Sequence, residues 1–526
     1  MHEAGLMSRS SLHLGRRTAL LLCAVLAAAF AQSATSQQRN ASGQSQTVLR
    51  ATTELVVVDV IVTGKDGAAV ADLAQDDFTV LEDGQPQRLS GFRLVRPAVK
   101  ASAPPRLAPN VVTNAPHFSE ATSWNIILLD AINTEFSSRA YAHQMLIKYL
   151  ESGPAVQPTA VYGLEQRLVL LHDFTTDTKV LAEAITHYSP GGPEHLPTVE
   201  AAASPFGRRG SFKAGPRARE VTLNEMLFLA DALAGYPGRK NLIWLSEGFP
   251  MNLYPDALTG AGGDISEDYS AMVQQIADAM MRAEVAVYPI DAAGVTVNDR
   301  FDALTTMQSI SERTGGKTFF YRNDLEVGIR TSIDDGSTYY TMDYYPSNRN
   351  WNGKFRRIEV KVNRPGVQLQ YRRGYYGLSP NDPGREPSGD VAKTFSNALS
   401  LTAPPSTGVL FQAAVIAPSD KSQHRYVVAF GIDAHTLAFE RQADGKQHAS
   451  LLCVVWAYPR KGEPIRAEGG TINADFTPEV YAQVLKSYLP VQRPIDLPRG
   501  EYTLRLGVLD RSTNLIGTTS TKVVVP

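Results

Sequence analysis

The chain has 526 residues, of which 43% are hydrophobic and 20% are charged, and its formal net charge is -2. This composition is typical of a globular protein with room for about three domains, and it excludes a disordered chain. A net charge so close to zero excludes a general nucleic-acid binder, because such proteins carry a clear basic excess.

The N-terminus carries basic residues, then an apolar run from Thr18 to Phe30, then small residues. The run is shorter than the roughly 20 residues that a membrane-spanning helix needs. We therefore expect residues 1–31 to be a signal peptide, removed on export to the periplasm or the cell exterior. No later segment of the sequence predicts a transmembrane anchor after cleavage. Residues 32–50 are rich in Gln and Ser and predict a flexible lead-in.

Two segments of different character follow the lead-in. Residues 51–96 hold short apolar runs separated by Asp-Gly turns, which predicts a small β domain. Residues 97–117 hold five prolines among small polar residues. Proline-rich segments of this kind favour extended chain, so residues 97–117 are predicted to be a linker.

From residue 118 onwards, apolar runs alternate with segments of helical periodicity. The run from Trp124 ends on Asp130, the next long run leads into Ser246 and Glu247, and a third ends on Asp291. Strand, turn and helix in alternation predict a doubly wound α/β domain over residues 118–337. In open parallel sheets, ligands bind outside the carboxyl ends of the strands. The acidic residues therefore mark the candidate site.

One strand of this sheet is predicted to run backwards. The apolar runs Ala160–Leu164 and Arg167–Leu171 are separated by only two residues. Parallel neighbours need a crossover of a dozen residues or more, so these two runs are predicted to pair in antiparallel fashion.

The last third of the chain predicts β-strands. Residues 338–377 are interpreted as a β extension of the α/β domain, with their tyrosines in ordinary cross-strand pairs. Residues 378–395 are rich in Pro, Gly and Asp and are predicted to be a second linker. Residues 396–526 contain about seven runs of strand character, which predicts an immunoglobulin-like β-sandwich. Cys453 lies in one of these runs and is predicted to be a buried thiol.

Several motifs in residues 50–377 resemble the VWFA-related proteins of acidobacteria. They are Thr53-Glu-Leu-Val-Val-Val-Asp-Val60, Asp77-Phe-Thr-Val-Leu-Glu-Asp-Gly84, Leu128-Leu-Asp-Ala-Ile-Asn-Thr134, Trp244-Leu-Ser-Glu-Gly-Phe-Pro250, Tyr288-Pro-Ile-Asp291 and Arg372-Arg-Gly-Tyr375. The resemblance implies a von Willebrand factor A-like fold flanked by all-β domains. It implies a mostly parallel sheet of order 3-2-1-4-5-6 with one antiparallel edge strand.

The resemblance also implies a metal-ion-dependent adhesion site built from Asp-x-Ser-x-Ser, a distant Thr and an Asp that follows the fourth strand, a position that Glu247 roughly occupies here. Here Ile132 replaces the first Ser, so the motif is degenerate. The residues predicted to hold the ion are Asp130, Asn133, Thr134, Ser246 and Glu247. Oxygen ligands favour Mg²⁺ or Ca²⁺. The alternative is that Asp130 and Thr134 cap the following helix and bind no ion.

Three functions are compatible with these features. The favoured one is an exported interaction module that binds a protein or cell-surface ligand, as in cell adhesion. A structural envelope protein without metal is the second. The third is a hydrolase that uses Ser246, but the sequence holds no HExxH motif and no Gly-rich phosphate loop, so we expect no enzyme.

A basic segment gives one further hypothesis. Its residues are Arg208, Arg209, Lys213, Arg217 and Arg219. Most such runs are solvated loops, and the alternative is contact with an anionic polysaccharide.

Overall fold

A computed structural model describes most of the chain after residue 54. The described residues are 55–96, 107–108, 110–116, 118, 121, 123–153, 157–190, 216–248, 270–295, 301–377, 391–419, 424–442, 444–460 and 464–526. The predicted signal peptide and lead-in lie outside them. No helix of this part of the chain is long and apolar enough to cross a membrane.

The described strands come in three groups along the chain. They are β1 (Val56–Thr63), β2 (Phe78–Glu82), β3 (Gln85–Pro86), β4 (Leu89–Val95), β5 (Val111–Thr113), β6 (Ser123–Asp130), β7 (Thr159–Leu164), β8 (Leu168–Thr175), β9 (Arg239–Ser246), β10 (Val285–Asp291), β11 (Tyr339–Tyr344), β12 (Phe355–Val362), β13 (Gln368–Gln370), β14 (Gly374–Tyr376), β15 (Phe411–Ile416), β16 (Arg425–Asp433), β17 (Glu440–Arg441), β18 (Gln447–Pro459), β19 (Arg466–Phe476), β20 (Tyr488–Asp496), β21 (Gly500–Asp510) and β22 (Ile516–Val525).

Most of the described α-helices lie between the strands of the central group. They are α1 (Phe136–Glu151), α2 (Thr178–His187), α3 (Pro216–Leu233), α4 (Ser270–Arg282), α5 (Phe301–Thr314), α6 (Leu325–Asp335), α7 (Val391–Ala398) and α8 (Pro478–Leu485).

The central sheet has the strand order β10-β9-β6-β7-β8. Numbered along the chain, this is the order 3-2-1-4-5 read from the β8 edge. The pairs β10–β9, β9–β6 and β6–β7 are parallel, and β7–β8 is antiparallel. The predicted doubly wound sheet and its antiparallel edge strand are therefore confirmed. In place of a sixth strand, the described chain has one parallel bridge between Ile290 and Phe319.

Helices cover both faces of this sheet because its central strands are apolar on both sides. In β6, Ile127 and Leu129 belong to one core, together with apolar side chains of α1, α2 and α6. Ile126 and Leu128 belong to the other core, together with side chains of α3, α4 and α5. A strand buried on both faces needs an unbroken apolar run, which is what the sequence provides.

The N-terminal strands form a β unit with strands from the far side of the α/β domain. One sheet has the order β13-β1-β11-β4 and the other β14-β12-β2-β3. The two sheets share a core that includes Val58, Tyr340 and Tyr344. Residues 338–377 therefore pair with residues of the predicted 51–96 domain. Their interpretation as a β extension of the α/β domain is corrected, because they complete the sheets of the N-terminal β unit. The burial of Tyr340 and Tyr344 agrees with their structural role.

The C-terminal strands form two antiparallel sheets around one apolar core that includes Cys453. One sheet has the order β20-β16-β15-β5, and in the other β18 lies between β19 and β21, with β22 beyond β21. Strand β5 comes from the predicted linker 97–117, so that interpretation is wrong for Val111–Thr113. Helix α7 overlaps the predicted linker 378–395, and its Phe395 packs into the α/β core. Val111–Thr113 is partly buried, and Phe395 and Ala398 of α7 are buried. The apolar side chains of both segments were obscured by the neighbouring prolines.

Candidate functional site

Asp130 and Ser246 end two neighbouring parallel strands. In the register of β6 and β9, Leu128 lies beside Trp244 and Leu129 beside Leu245. Asp130 and Ser246 come next on each strand, at the switch point where the connections leave in opposite directions. Because side chains alternate along a strand, Trp244 and Ser246 share one face of the sheet. That face carries α3.

The Asp130 carboxylate is 2% exposed and accepts hydrogen bonds from four donor groups. The Ser246 hydroxyl donates to Oδ2 at 2.7 Å, and the Trp244 indole Nε1 donates to the same oxygen at 3.1 Å. The Asn133 backbone N–H donates to Oδ1 at 3.0 Å. The Asn133 side-chain Nδ2 lies 2.9 Å from Oδ2 and 3.1 Å from Oδ1. Both oxygens are therefore occupied by N–H and O–H donors.

The loop after β6 is held to α3 and to the end of β9. Asn133 Nδ2 also donates to Thr222 Oγ1 of α3 at 2.7 Å, and Thr134 Oγ1 accepts from the Glu247 backbone N–H at 3.3 Å. The N-cap residue of α1 is Glu135, which makes no side-chain cap bond. Asp130 and Thr134 therefore stabilise the loop and do not cap the helix.

We call Asp130 and the side chains bonded to it, directly or through Asn133, the centre. Burial sets the electrostatics of this centre. Desolvation raises the pKa of Asp130, and the bonds from Asn133, Ser246 and Trp244 oppose that rise. Charge-assisted hydrogen bonds to a carboxylate are about twice as strong as neutral ones. The four donors thus supply part of the stabilisation that water would give the buried carboxylate.

This arrangement does not fit a bound Mg²⁺ or Ca²⁺ ion as it stands. An indole N–H donates only and offers a cation no lone pair, so an ion on Asp130 Oδ2 would have to displace Trp244 or Ser246. Within the described residues, no group of three or more His, Cys, Asp and Glu side chains could hold a metal. Among the described atoms around Asp130, Asn133 Oδ1 is a buried acceptor with no hydrogen-bond partner. Binding of an ion stays a prediction.

The hydrolase hypothesis gains no support from the position of Ser246. The residue is fully buried. Its hydroxyl donates to Asp130 and accepts from the Gly248 N–H at 3.0 Å. A nucleophile needs access to substrate and a positioned base such as histidine, and the bonds described for Ser246 include no histidine.

Other predicted residues lie away from this centre. Asp291 ends β10, where it is buried and its Oδ1 accepts from the Ala293 N–H at 3.1 Å. Of the basic segment, Arg208, Arg209 and Lys213 and the side chain of Arg217 lie outside the described residues. Arg219 lies in the first turn of α3 and is 1% exposed. Its inclusion in an exposed polysaccharide contact is therefore corrected.

Two residues of the centre were missed from the sequence, Trp244 and Thr222. Trp244 had a usable signal, because it precedes Ser246 by two residues on a predicted strand and so shares its face. Thr222 had none, because its contact with Asn133 depends on how α3 packs across the sheet.

Exposed apolar side chains surround this end of the sheet. Phe136 follows β6 and is 79% exposed, Val295 follows β10 and is 63% exposed, and Tyr321 follows the Phe319 bridge and is 49% exposed. Asn323 connects their loops, since its Oδ1 accepts from the Val295 N–H at 3.0 Å and its carbonyl accepts from the Tyr141 hydroxyl of α1. We call Phe136, Val295 and Tyr321 the carboxyl-end face.

Comparisons with known proteins give remote similarities only. No protein-family model matches the chain, and no curated protein matches it. Among solved structures, the chain is similar to an aerotolerance-related membrane protein from Bacteroides fragilis, with 12% identity, 41% of this chain and 99% of that chain covered, and a TM-score of 0.25. It is similar to the vWF domain of the type V pili tip protein Mfa5 from Porphyromonas gingivalis, with 13% identity, 40% and 94% covered, and a TM-score of 0.26. It is also similar to a von Willebrand factor type A protein from Catenulispora acidiphila, with 10% identity, 85% and 72% covered, and a TM-score of 0.24. At these values the similarities assign no family, ligand or activity.

Proposed function

We propose that the chain is an exported interaction module that binds a protein ligand through the carboxyl-end face. The observation that carries the proposal is the exposure of Phe136, Val295 and Tyr321 together at the end of the sheet where open α/β folds bind ligands. Aromatic side chains are enriched among the residues that dominate binding energy at interfaces. Export is part of the proposal and rests on the N-terminal sequence. Membership of the VWFA-related family of acidobacteria is also part of it and rests on the motifs in residues 50–377.

The buried centre beneath this face supports the same proposal. Asp130, Asn133 and Trp244 connect β6, β9 and the loop that leads to Phe136. A binding site is most effective when its supporting side chains are fixed by hydrogen bonds. The proposed role of the centre is to hold the loop before α1 in one conformation.

Site-specific photocrosslinking tests the interaction function. A photoreactive phenylalanine analogue replaces Phe136 in cells of the source organism, and the matched control carries it at Val480, an exposed residue of α8. We expect a discrete crosslinked protein from position 136 and none from position 480. Absence of a specific adduct at position 136 would favour the structural envelope protein instead.

A divalent cation at Asp130, Asn133, Thr134, Ser246 and Glu247 is a separate proposal. It is supported by the unpartnered Asn133 Oδ1 and by the position of Asp130 at the switch point. Calorimetry with Mg²⁺ and Ca²⁺ on the wild type and on Asp130→Ala tests it. Binding heat that disappears in the variant supports the ion, and no heat up to millimolar ion leaves a centre held by hydrogen bonds alone.

A further inference from the structure

A second cluster lies on the opposite face of the sheet from the Asp130 carboxylate. Arg139 lies in the first turn of α1 and is 8% exposed. The ring of Tyr188, which follows α2, lies 5.8 Å from the ring of His143. The Tyr188 hydroxyl lies over Gly163 of β7, where a Cβ would approach it to 2.3 Å. We call Arg139, His143 and Tyr188 the Arg139 cluster.

The polar groups of this cluster are incompletely satisfied. The only hydrogen bond described for the Arg139 guanidinium runs from Nη1 to the Ala131 carbonyl at 3.5 Å, the outer limit for such a bond. Arg139 Nε is buried without a hydrogen-bond partner. The Tyr188 hydroxyl is also buried, and Glu165 is its acidic neighbour, but no hydrogen bond of ordinary length joins the two. Within the described residues, no carboxylate lies within ion-pair distance of Arg139. Buried cations are normally paired because desolvation is costly, so this arrangement points to a missing anionic partner.

Arg139 is the cation of the cluster. Burial lowers the pKa of His143, and the charge of Arg139 lowers it further, so His143 is neutral at pH 7. Burial raises the pKa of Tyr188, the nearby carboxylates of Glu165 and Asp130 raise it further, and the charge of Arg139 lowers it. The guanidinium presents planar N–H donors whose spacing matches a carboxylate.

Phe136 of the carboxyl-end face lies beside the Arg139 guanidinium. The Phe136 ring centroid lies 5.8 Å from the Arg139 guanidinium carbon. The Phe136 side chain is largely exposed and belongs to no described core, so little packing holds it against Arg139. An acidic side chain of a partner can then reach Arg139 while neighbouring apolar groups cover Phe136.

We propose that Arg139 binds a carboxylate side chain of the protein partner, with the Tyr188 hydroxyl as a second donor. The proposal rests on the proposed interaction function and names the chemistry that the partner offers. In this arrangement the partner's carboxylate pairs with the guanidinium of Arg139, and no metal ion is needed to supply the positive charge.

A double-mutant cycle with a short peptide tests this pairing. The probes are fluorescent peptides of sequence Gly-Phe-Asp-Phe-Gly and Gly-Phe-Asn-Phe-Gly, titrated to millimolar concentration against the purified full chain. We expect the wild type to bind the Asp peptide about tenfold or more tightly than the Asn peptide, since hydrogen bonds between charged groups contribute that much. Arg139→Gln should bind the two peptides equally.

Two further variants make the result specific. Arg349→Gln removes an exposed arginine from the N-terminal β unit and should keep the wild-type preference. Tyr188→Phe keeps the ring and should reduce the preference, which provides a test if Arg139→Gln does not fold. Equal binding of both peptides by the wild type, or an unchanged preference in Arg139→Gln and Tyr188→Phe, would overturn the proposal. That result would leave the crosslinking from position 136 unchanged. The crosslinking experiment therefore tests the interaction function, and the peptide experiment tests the carboxylate site independently.

Discussion

The indole of Trp244 is the residue-scale feature that separates this centre from an open metal site. Its N–H donates to Asp130, and the side chain is fully buried between β6 and α3. The second buried indole, Trp124, donates to the Pro237 carbonyl at 2.8 Å. The two tryptophans therefore have similar burial and different acceptors, one charged and one neutral.

We expect Trp244→Phe to lower the free energy of unfolding more than Trp124→Phe does. Both substitutions remove one indole hydrogen bond and part of a ring. A bond to a charged acceptor contributes about 1.5 to 3 kcal/mol, against about 0.5 to 1.5 kcal/mol for a neutral one. Urea denaturation followed by far-UV circular dichroism at pH 7 gives both values. Equal losses would mean that the Trp244 bond to Asp130 contributes no more than a bond to a carbonyl.

At the scale of residues, the sequence predicted where site residues lie along the strands, but it did not predict which side chains they contact. Asp130 and Ser246 were placed at the ends of neighbouring strands because strand ends can be read from apolar runs. The hydrogen-bond donors to Asp130 were not predicted, because a side-chain hydrogen bond depends on rotamers and on the packing of α3. Arg139 was not singled out either, since helical periodicity does not distinguish a buried arginine from an exposed one.

At the scale of elements, unbroken apolar runs gave the most accurate predictions. The run ending on Asp130 was placed within one residue of β6, because a strand buried on both faces tolerates no polar interruption. Helix α6 was missed because its buried side includes Gly328 and Ser332. Gly328 packs against Phe319, and the Ser332 hydroxyl donates to the Gly328 carbonyl at 2.7 Å. Small residues at such contacts weaken the apolar periodicity.

Helix α4 carries a destabilising carboxyl group. Burial raises the pKa of Asp278 to about 6, against a smaller opposing effect of Arg282 and Arg313. Its Oδ1 has no hydrogen-bond partner among the described residues. The folded state therefore holds this proton up to about pH 6, while the unfolded state releases it near its ordinary pKa of 3.8. The contribution of Asp278 to stability is lost as pH rises from about 4 through about 6.

We expect Asp278→Asn to raise the free energy of unfolding by about 1 to 2 kcal/mol at pH 8, after allowance for partial exposure, and to have little effect at pH 4. Denaturation at the two pH values measures the difference. The control is Asp444→Asn, because the pKa of exposed Asp444 is lowered by Lys446 and its replacement should not stabilise the chain at pH 8. A gain of the same size at both pH values would show that the charge of Asp278 is not the cause.

At the scale of the whole molecule, the described parts of both predicted linkers include regular structure, β5 in the first and the start of α7 in the second. Strand β5 adds to the C-terminal sheet through Gln412, Ala413 and Ala414, which lie about 300 positions away in sequence. Asn114, just after β5, donates to the carbonyls of Ser406 and Val409 at 2.8 Å. No local pattern predicts a pairing over such a distance, because a three-residue strand has too little periodicity of its own. Proline content therefore gave no sign that Val111–Thr113 pairs with the C-terminal sheet.

Arg505 of β21 connects the C-terminal sandwich to the segment that follows α7. It is 2% exposed, and its guanidinium donates to the carbonyls of Ala398, Ala403 and Pro404 at 2.7 to 3.2 Å and to the Ser520 hydroxyl at 3.1 Å. Burial lowers its pKa to about 10, so it is charged at pH 7. The segment it holds includes Ala403, which belongs to the core shared with the α/β domain. Arg505 thus connects the sandwich to that core.

We expect Arg505→Lys to lower the free energy of unfolding by about 2 to 4 kcal/mol, and Arg505→Met by at least as much. A lysine ammonium has three N–H donors at one point and does not reach both the carbonyls bound by Nε and Nη2 and the Ser520 hydroxyl bound by Nη1, so buried acceptors stay unpaired. The control is Arg466→Lys, at an exposed ion pair with Glu468, which should change stability by less than about 0.5 kcal/mol. Chemical denaturation followed by tryptophan fluorescence and circular dichroism gives all three values. If Arg505→Lys proved as harmless as Arg466→Lys, the guanidinium contacts would not be what holds residues 398–404 to the sandwich.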